Sequence, residues 1–160
     1  MKRIALLLLV SLAGCTTART AAAPAPSPEA AAVVAVADRL FDAMRTRDTV
    51  AIKRLFTPQA RIVAVGRQNG VAMMRERAVG EFLGSIATAP EALLERMWDA
   101  EVRIDGDLAT LWAPYDFHRG AQFSHCGVDA FQLVRVEGAW RIVSLSYTLQ
   151  PEGCPPAPPR

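Results

Sequence analysis

The segment SHCGVDAF, residues 124–131, places a histidine, a cysteine and an aspartate close together. These side chains serve as metal ligands, nucleophiles and general bases. Neighbouring side chains of a strand point to opposite faces, so His125 and Cys126 cannot form a nucleophilic pair if the segment is a regular strand. His125 and Asp129 share a face but lie roughly 13 Å apart along it. One metal ion with bonds of about 2 Å cannot join them, and no HxH or CxxC pair occurs, so we expect no metal.

The first half of the chain, which precedes this segment, is predicted to contain three helices and one hairpin. Ser27, Pro28 and Glu29 form a helix start, and apolar residues then recur at helical spacing to Met44. Asp48 can cap a short second helix. The stretches 60–66 and 71–75 predict a hairpin around Asn69-Gly70, and 76–86 predicts a third helix.

The second half predicts four consecutive strands. Turn signals at Asp105-Gly106, Arg119-Gly120 and Glu137-Gly138 separate β-rich runs at 93–104, 107–118, 121–136 and 139–149. Short connections favour an antiparallel meander, one face of which the helices must cover.

The register of the meander determines which side chains share a cavity. A two-residue turn at Asp105-Gly106 places Arg96, Trp98 and Tyr115 on the inner face, and Trp112, Asp116 and His118 on the outer face. A three-residue loop at 119–121 would bring Phe123, His125, Asp129 and Phe131 inside. A two-residue loop would invert that strand and bury Gln122 and Gln132. Burial of apolar surface favours the first register, and a bulged turn at Gly138 would add Val143, Leu145 and Tyr147.

The first register predicts a small-molecule site, because a few polar groups then converge on an apolar recess. The expected ligand-binding residues are Arg96, Trp98, Tyr115, His125, Asp129 and Tyr147. Catalytic candidates are Asp129 or His125 as general base and Tyr115 as oxyanion donor. The structural alternative is that Asp129 pairs with Arg96 or a hydroxyl, and that backbone groups satisfy His125.

The chain begins with a basic pair, an apolar run and LAGC, residues 12–15, as a signal peptide does. This start closely resembles the lipobox of bacterial lipoproteins, which implies cleavage after residue 14 and a lipid on Cys15. An ordinary secretory signal is the alternative. Thr16 follows where an aspartate would favour the inner membrane, so with two membranes the outer one, facing the periplasm, is expected. Residues 15–28 predict a flexible Ala/Thr/Pro tether, and 151–160 a proline-rich tail.

Charge argues against a nucleic-acid partner. The chain has 18 Lys+Arg and 16 Asp+Glu, and loss of Lys2 and Arg3 with the leader would leave 16 of each. A neutral protein lacks the basic surface that nucleic acids require.

The two remaining cysteines are expected to form a disulfide. A bulged turn at Gly138 would pair residue 126 with about residue 150, and Pro151 and Gly153 would let Cys154 bend back over the outer face. The alternative is two unrelated free thiols. An oxidising compartment favours the bridge.

Two longer stretches, RDTVAIKRLFTPQARIV (47–63) and WAPYDFHRGAQFSHCGVDAFQLVRVEGAWRIVSLSYT (112–148), carry a resemblance. Together with the order of elements they resemble the nuclear transport factor 2-like (NTF2-like) superfamily, which includes SnoaL-like and ketosteroid isomerase-like proteins. The second stretch is most similar to bacterial lipoproteins grouped as lumazine-binding-like. The resemblance covers 29–150. It implies a cone-shaped α+β fold, in which three N-terminal helices pack on a curved, mainly antiparallel sheet of about six strands.

Three functions are compatible with this fold. The first is a membrane-anchored domain that binds a small apolar or aromatic molecule without a cofactor. The second is a small isomerase, cyclase or hydrolase with Asp129 or His125 as base. The third is a homodimeric scaffold that pairs through the outer sheet face, where we expect apolar side chains at Trp112, Val128, Val134, Val136, Trp140 and Ile142.

Overall fold

A computed structural model describes residues 27–159. The predicted leader, the lipidation site at Cys15 and most of the tether lie outside these residues. Within them, no helix is both long and apolar enough to cross a membrane.

Three helices and the first hairpin form the first half of the domain. Helix α1 spans Pro28–Thr46, and the hydroxyl of its N-cap Ser27 accepts from the Ala30 amide at 3.1 Å. Helix α2 spans Thr49–Leu55 after its cap Asp48. Strands β1 (Phe56–Gln68) and β2 (Val71–Ala78) form the hairpin, and α3 spans Val79–Ala87. The hairpin is longer than predicted, so β2 takes the residues expected in the first turn of α3.

Five strands follow: β3 (Leu93–Met97), β4 (Glu101–Asp105), β5 (Leu108–Arg119), β6 (Gln122–Val136) and β7 (Ala139–Thr148). The sheet order is β2-β1-β7-β6-β5-β3, and β4 also pairs with β5. All pairs are antiparallel except β1 with β7. The predicted α+β fold is confirmed, with seven strands in one sheet.

The first predicted strand is two strands, and the break changes its register. Residues 98–100 interrupt it, and Asp99 adopts a left-handed conformation with φ 47°. Leu93, Glu95 and Met97 therefore face inward before the break, and Val102 faces inward after it. The predicted inward position of Arg96 is wrong, because the prediction assumed an unbroken strand.

A bulge in β6 reconciles the two registers considered for it. Arg119 pairs with Gln122 across a two-residue turn, which is the inverting geometry. The pairing then shifts from His118–Phe123 to Phe117–His125, so Ser124 is an extra residue. Phe123 consequently lies outside and is exposed, contrary to the prediction, whereas the rest of the strand has the predicted register. Phe131 is buried and Gln132 is exposed.

A second bulge, in β7, changes which residues lie on the outer face of the sheet. Leu133 pairs with Ile142 and Gln132 with Ser144, which makes Val143 the extra residue of β7. Trp140 and Ile142 therefore lie in the core and not on the outer face. Trp112 is outside as predicted, with 54 % of its surface exposed.

The predicted disulfide is present. Cys126 and Cys154 are joined, with their Cα atoms 6.0 Å apart. Cys126 also exchanges backbone hydrogen bonds with Gln150 at 2.9 Å, which is the expected pairing. The bridge directs the proline-rich tail across the outer face, where Arg96 Nη1 donates to the Pro158 carbonyl at 3.1 Å.

Candidate functional site

A cavity of about 540 Å³ lies between the inner face of the sheet and helices α1 and α3. Apolar side chains from both layers form most of its wall: Leu40, Phe41, Met44, Ala64, Phe82, Ile86, Leu93, Phe117, Leu145 and Leu149. Its polar side chains come mainly from four strands. Asp129 and His125 come from β6, Tyr115 from β5, Tyr147 from β7 and Glu95 from β3.

Strand pairing explains why these polar residues converge. Tyr147 pairs with Asp129, which in turn pairs with Ala113 on β5. The small side chain of Ala113 leaves room beside the aspartate. Four residues further along β5, Phe117 pairs with His125 on one side and with Glu95 on the other. These pairings place the two acids on either side of β5, on the face that lines the cavity.

Glu95 and Asp129 share a hydrogen bond between their carboxyl groups. Asp129 is only 1 % exposed, and its Oδ2 has no hydrogen-bond partner among the described residues. Burial raises the pKa of Asp129, although the bond from Glu95 partly opposes this. Burial and the neighbouring carboxylate of Asp129 raise the pKa of Glu95 well above its usual value. The Glu95 carboxyl group therefore donates the hydrogen bond and Asp129 accepts it, so the pair shares one proton.

Tyr115 is fixed beside this acid pair. Its hydroxyl donates to the Thr148 carbonyl at 2.7 Å. Burial, followed by the nearby charges of Glu95 and Asp129, raises the pKa of Tyr115 above its usual value, so the phenol stays neutral. Because its proton is already bound, Tyr115 is a wall of the cavity and not a free oxyanion donor.

Gly127 makes the contact between Tyr115 and Thr148 possible. A Cβ atom at residue 127 would lie 2.0 Å from the Thr148 carbonyl oxygen. Only glycine allows β7 to approach β6 this closely. The Thr148 hydroxyl also accepts from the Val128 amide at 2.8 Å, which holds the two strands together here.

His125 is half-buried against aromatic rings. It stacks on Phe117 with ring centroids 4.9 Å apart, and its Nδ1 lies 3.0 Å from the Ser124 hydroxyl. Burial, and secondly the charge of Arg119, lower the pKa of His125. The imidazole is therefore neutral at neutral pH.

Tyr147 links the acid pair to the rim of the cavity. Its ring meets Tyr115 edge-on at 6.3 Å, and its hydroxyl accepts from Arg77 Nη2 at 3.0 Å. Arg77 also lies over the Phe82 ring, with its Cζ atom 5.5 Å from the centroid. Arg75 and Arg119 line the cavity as well, and both are exposed.

Two predicted ligand-binding residues lie elsewhere. Arg96 is on the outer face, where it forms a bidentate pair with Asp116: Nε–Oδ1 is 2.9 Å and Nη2–Oδ2 is 2.7 Å. Trp98 lies in the break between β3 and β4 and does not line the cavity. Both differences follow from the changed register at Asp99. The alternative pairing of Asp129 with Arg96 is likewise wrong, since Glu95 is the partner of Asp129.

Sequence reasoning missed Glu95 and the three arginines. Leu93-Leu94-Glu95-Arg96 permits either register, so only the position of the break could have indicated Glu95. For the arginines a signal was present: the alternation in RER, residues 75–77, places Arg75 and Arg77 on one face of β2. Among the described residues, no group of three His, Cys, Asp or Glu side chains is arranged to hold a metal ion.

Solved structures share this fold at low sequence identity. An NTF2-like protein of unknown function from Shewanella baltica matches with a TM-score of 0.59 and 22 % identity, covering 81 % of this chain and 100 % of that one. A protein with a cystatin-like fold from Nostoc punctiforme matches with a TM-score of 0.63 and 11 % identity, covering 79 % and 94 %. An NTF2-like protein from Novosphingobium aromaticivorans gives 0.60 and 15 %, covering 74 % and 80 %.

The fold and its cone-shaped cavity therefore define an NTF2-like protein. Residues 28–148 match the model of the family described as "Putative lumazine-binding", and the chain belongs to that family. No curated protein matches the sequence closely enough to be counted as a relative.

Proposed function

We propose that this protein is a lipid-anchored protein of the bacterial cell envelope that binds a small apolar or aromatic molecule in its cone cavity. The observation that carries the proposal is the cavity itself, an apolar chamber with a buried acid pair at its base. Its volume of about 540 Å³ lies within the range of roughly 300–1,000 Å³ that is typical of small-molecule sites.

The acid pair indicates the polarity of the ligand. Asp129 Oδ2 is buried and lacks a partner among the described residues, and such an oxygen is costly to leave unsatisfied. A ligand N–H or O–H that reaches the base would satisfy it. A flat heterocycle with N–H donors, which is the chemistry of lumazine in the family's description, fits both the apolar wall and this acceptor.

The location rests on the start of the sequence. LAGC, residues 12–15, supports a lipid on Cys15, and Thr16 favours the outer membrane facing the periplasm where there are two membranes. The Cys126–Cys154 disulfide supports the same placement, because disulfides persist outside the reducing cytoplasm.

A second function, acid–base catalysis, is favoured by the Glu95–Asp129 pair. A carboxylate whose pKa is raised toward neutrality is a better general base than an ordinary aspartate. Asp129 is the stronger candidate than His125, because it has a proton-sharing partner and an unoccupied oxygen. Tyr115 does not supply the oxyanion donor, so the ligand's own groups, Tyr147 or a water would have to do so.

The homodimer through the outer face stays a prediction. The exposed Trp112 supports it, while the buried positions of Trp140 and Ile142 reduce the apolar surface that the sequence suggested.

Blocking the cavity tests the binding proposal. N-Phenyl-1-naphthylamine is a neutral aromatic probe that fluoresces in apolar surroundings. Ala64 lines the cavity, so Ala64→Trp should abolish binding of this probe. Ala72→Trp, on the opposite face of the hairpin, is the matched control and should bind like the original protein. Equal binding by both variants, or none by the original protein, would show that the cavity is not a ligand site.

A further inference from the structure

The edge strand β2 presents two arginines to the cavity, and neither forms a salt bridge with an acid within residues 27–159. Arg75 and Arg77 both line the cavity, and Glu76 between them points to the other face. There the Glu76 carboxylate is engaged by Arg61, with an Nε–Oε1 distance of 2.8 Å. The negative charge of this strand is therefore directed away from the cavity and the positive charges toward it.

Arg77 is held in place while most of its donors stay available. The Tyr147 hydroxyl accepts one N–H, and the Phe82 ring supports the plane of the guanidinium. A guanidinium has five N–H donors in a fixed fork, which suits bidentate binding of an oxyanion. The oriented side chain loses little conformational freedom when it binds, so the site is preorganised.

The charges in the cavity are separated along its depth. Asp129 is fully enclosed at the base, whereas Arg75 and Arg119 are exposed at the rim. The charge of Arg119 contributes to the lowered pKa of His125, so positive potential reaches into the cavity. A ligand with an anionic group would therefore place that group at the rim and its uncharged body inside.

We propose that the ligand is an amphipathic organic anion, with a flat apolar body in the chamber and one oxyanion group bound by Arg75 and Arg77. A carboxylate, sulfonate or phosphate has the required chemistry. The inference rests on the proposed binding function and specifies its ligand class.

Two fluorescent probes with the same aromatic body isolate the contribution of the anion. 8-Anilino-1-naphthalenesulfonate carries one sulfonate, and N-phenyl-1-naphthylamine is the same skeleton without it. Both are titrated into the purified full-length protein, and the signal of the Ala64→Trp variant is subtracted to remove binding outside the cavity. Arg75→Gln/Arg77→Gln should weaken the sulfonate probe about tenfold to a hundredfold, the usual effect of losing charge-assisted hydrogen bonds. The neutral probe should lose much less affinity than the sulfonate probe, because it has no anionic group for the arginines to bind.

A second double variant controls for net charge. Arg54→Gln/Arg103→Gln removes the same two charges from helix α2 and from β4, at exposed positions away from the cavity. It should bind both probes like the original protein. If the two double variants weaken the sulfonate probe equally, or if Arg75→Gln/Arg77→Gln leaves its affinity unchanged, the anion site is wrong while cavity binding stands. If Ala64→Trp does not reduce binding of either probe, the proposed function fails as well.

Discussion

Glu95 and Asp129 share a proton although they lie on strands that are separated by β5. Asp129 pairs with Ala113 and Glu95 pairs with Phe117, so the two acids approach each other diagonally across β5, on the face that carries Tyr115. The base of the cavity is thus defined by two acids on strands that are not neighbours in the sheet.

This acid pair makes stability depend on pH in a specific direction. The folded pKa of Asp129 is raised to about 7, above its ordinary value of 3.8. The unfolded chain therefore releases this proton at lower pH than the folded protein does, and stability falls as pH rises from about 4 to about 7. Between pH 4.5 and 7.5 we expect this group to reduce the free energy of unfolding by on the order of 2 kcal/mol. Asp129→Asn should remove much of this loss.

Urea unfolding at the two pH values measures this effect. Asp105→Asn, at the exposed end of β4, is the control and should retain the original pH dependence. Parallel stability profiles for Asp129→Asn and the original protein would contradict the raised pKa.

The Arg96–Asp116 pair stabilises the outer face of the sheet and is separate from the cavity. Asp116 is only 6 % exposed, and burial opposes its charge, but the hydrogen bonds and charge of Arg96, together with a smaller contribution from His118, outweigh burial and lower the pKa of Asp116. Arg96→Ala would leave a buried, poorly paired carboxylate and should lower the free energy of unfolding at neutral pH. The effect should diminish as Asp116 becomes protonated, since its stabilising contribution is lost as pH falls through its folded pKa.

Denaturant unfolding together with the neutral-probe titration tests this assignment. Arg96→Ala should change stability and leave probe affinity intact. A large loss of probe affinity without a loss of stability would return Arg96 to the ligand site.

Gly127 provides a test of the close approach between β6 and β7. Gly127→Ala would place a methyl group 2.0 Å from the Thr148 oxygen, so the strands must separate and the Tyr115 hydrogen bond must lengthen. We expect a loss of about 2 kcal/mol or more, as for other overpacked sites. Gly84→Ala in α3 meets no atom within 4 Å and should be neutral or stabilising. Thermal unfolding of the two variants compares them directly, and equal melting temperatures would show that the strands are less closely packed.

Most of the fold could be predicted from the sequence because its signals are local. Helix caps such as Ser27 and turns such as Glu137-Gly138 act within a few residues, and the alternation of β5 is regular. The predicted site was less accurate because a cavity depends on the register of several strands together. One left-handed residue, Asp99, moved Arg96 outside and brought Glu95 in. The inserted residues Ser124 and Val143 each reversed the facing of one strand segment, and neither has a composition that marks a bulge.

The proposed lipid anchor can be tested independently of the cavity. Cells given an alkyne-labelled fatty acid should incorporate it into the original protein and not into Cys15→Ser. The Cys126→Ser/Cys154→Ser variant is the control, since it retains Cys15 and should still be labelled. Label on the Cys15→Ser protein would exclude this residue as the attachment site.

The disulfide has a topological consequence for the cavity. Cys126 and Cys154 are 28 residues apart, and Asp129, Leu145 and Tyr147 all lie between them. Much of the cavity wall is therefore built from one closed covalent ring that includes β7 and most of β6. A last strand usually detaches by fraying from the carboxyl terminus. While the bond is intact, this fraying cannot proceed past Cys154. A polypeptide whose cysteines are still reduced lacks that limit, so the stability of the cavity depends on oxidation of Cys126 and Cys154.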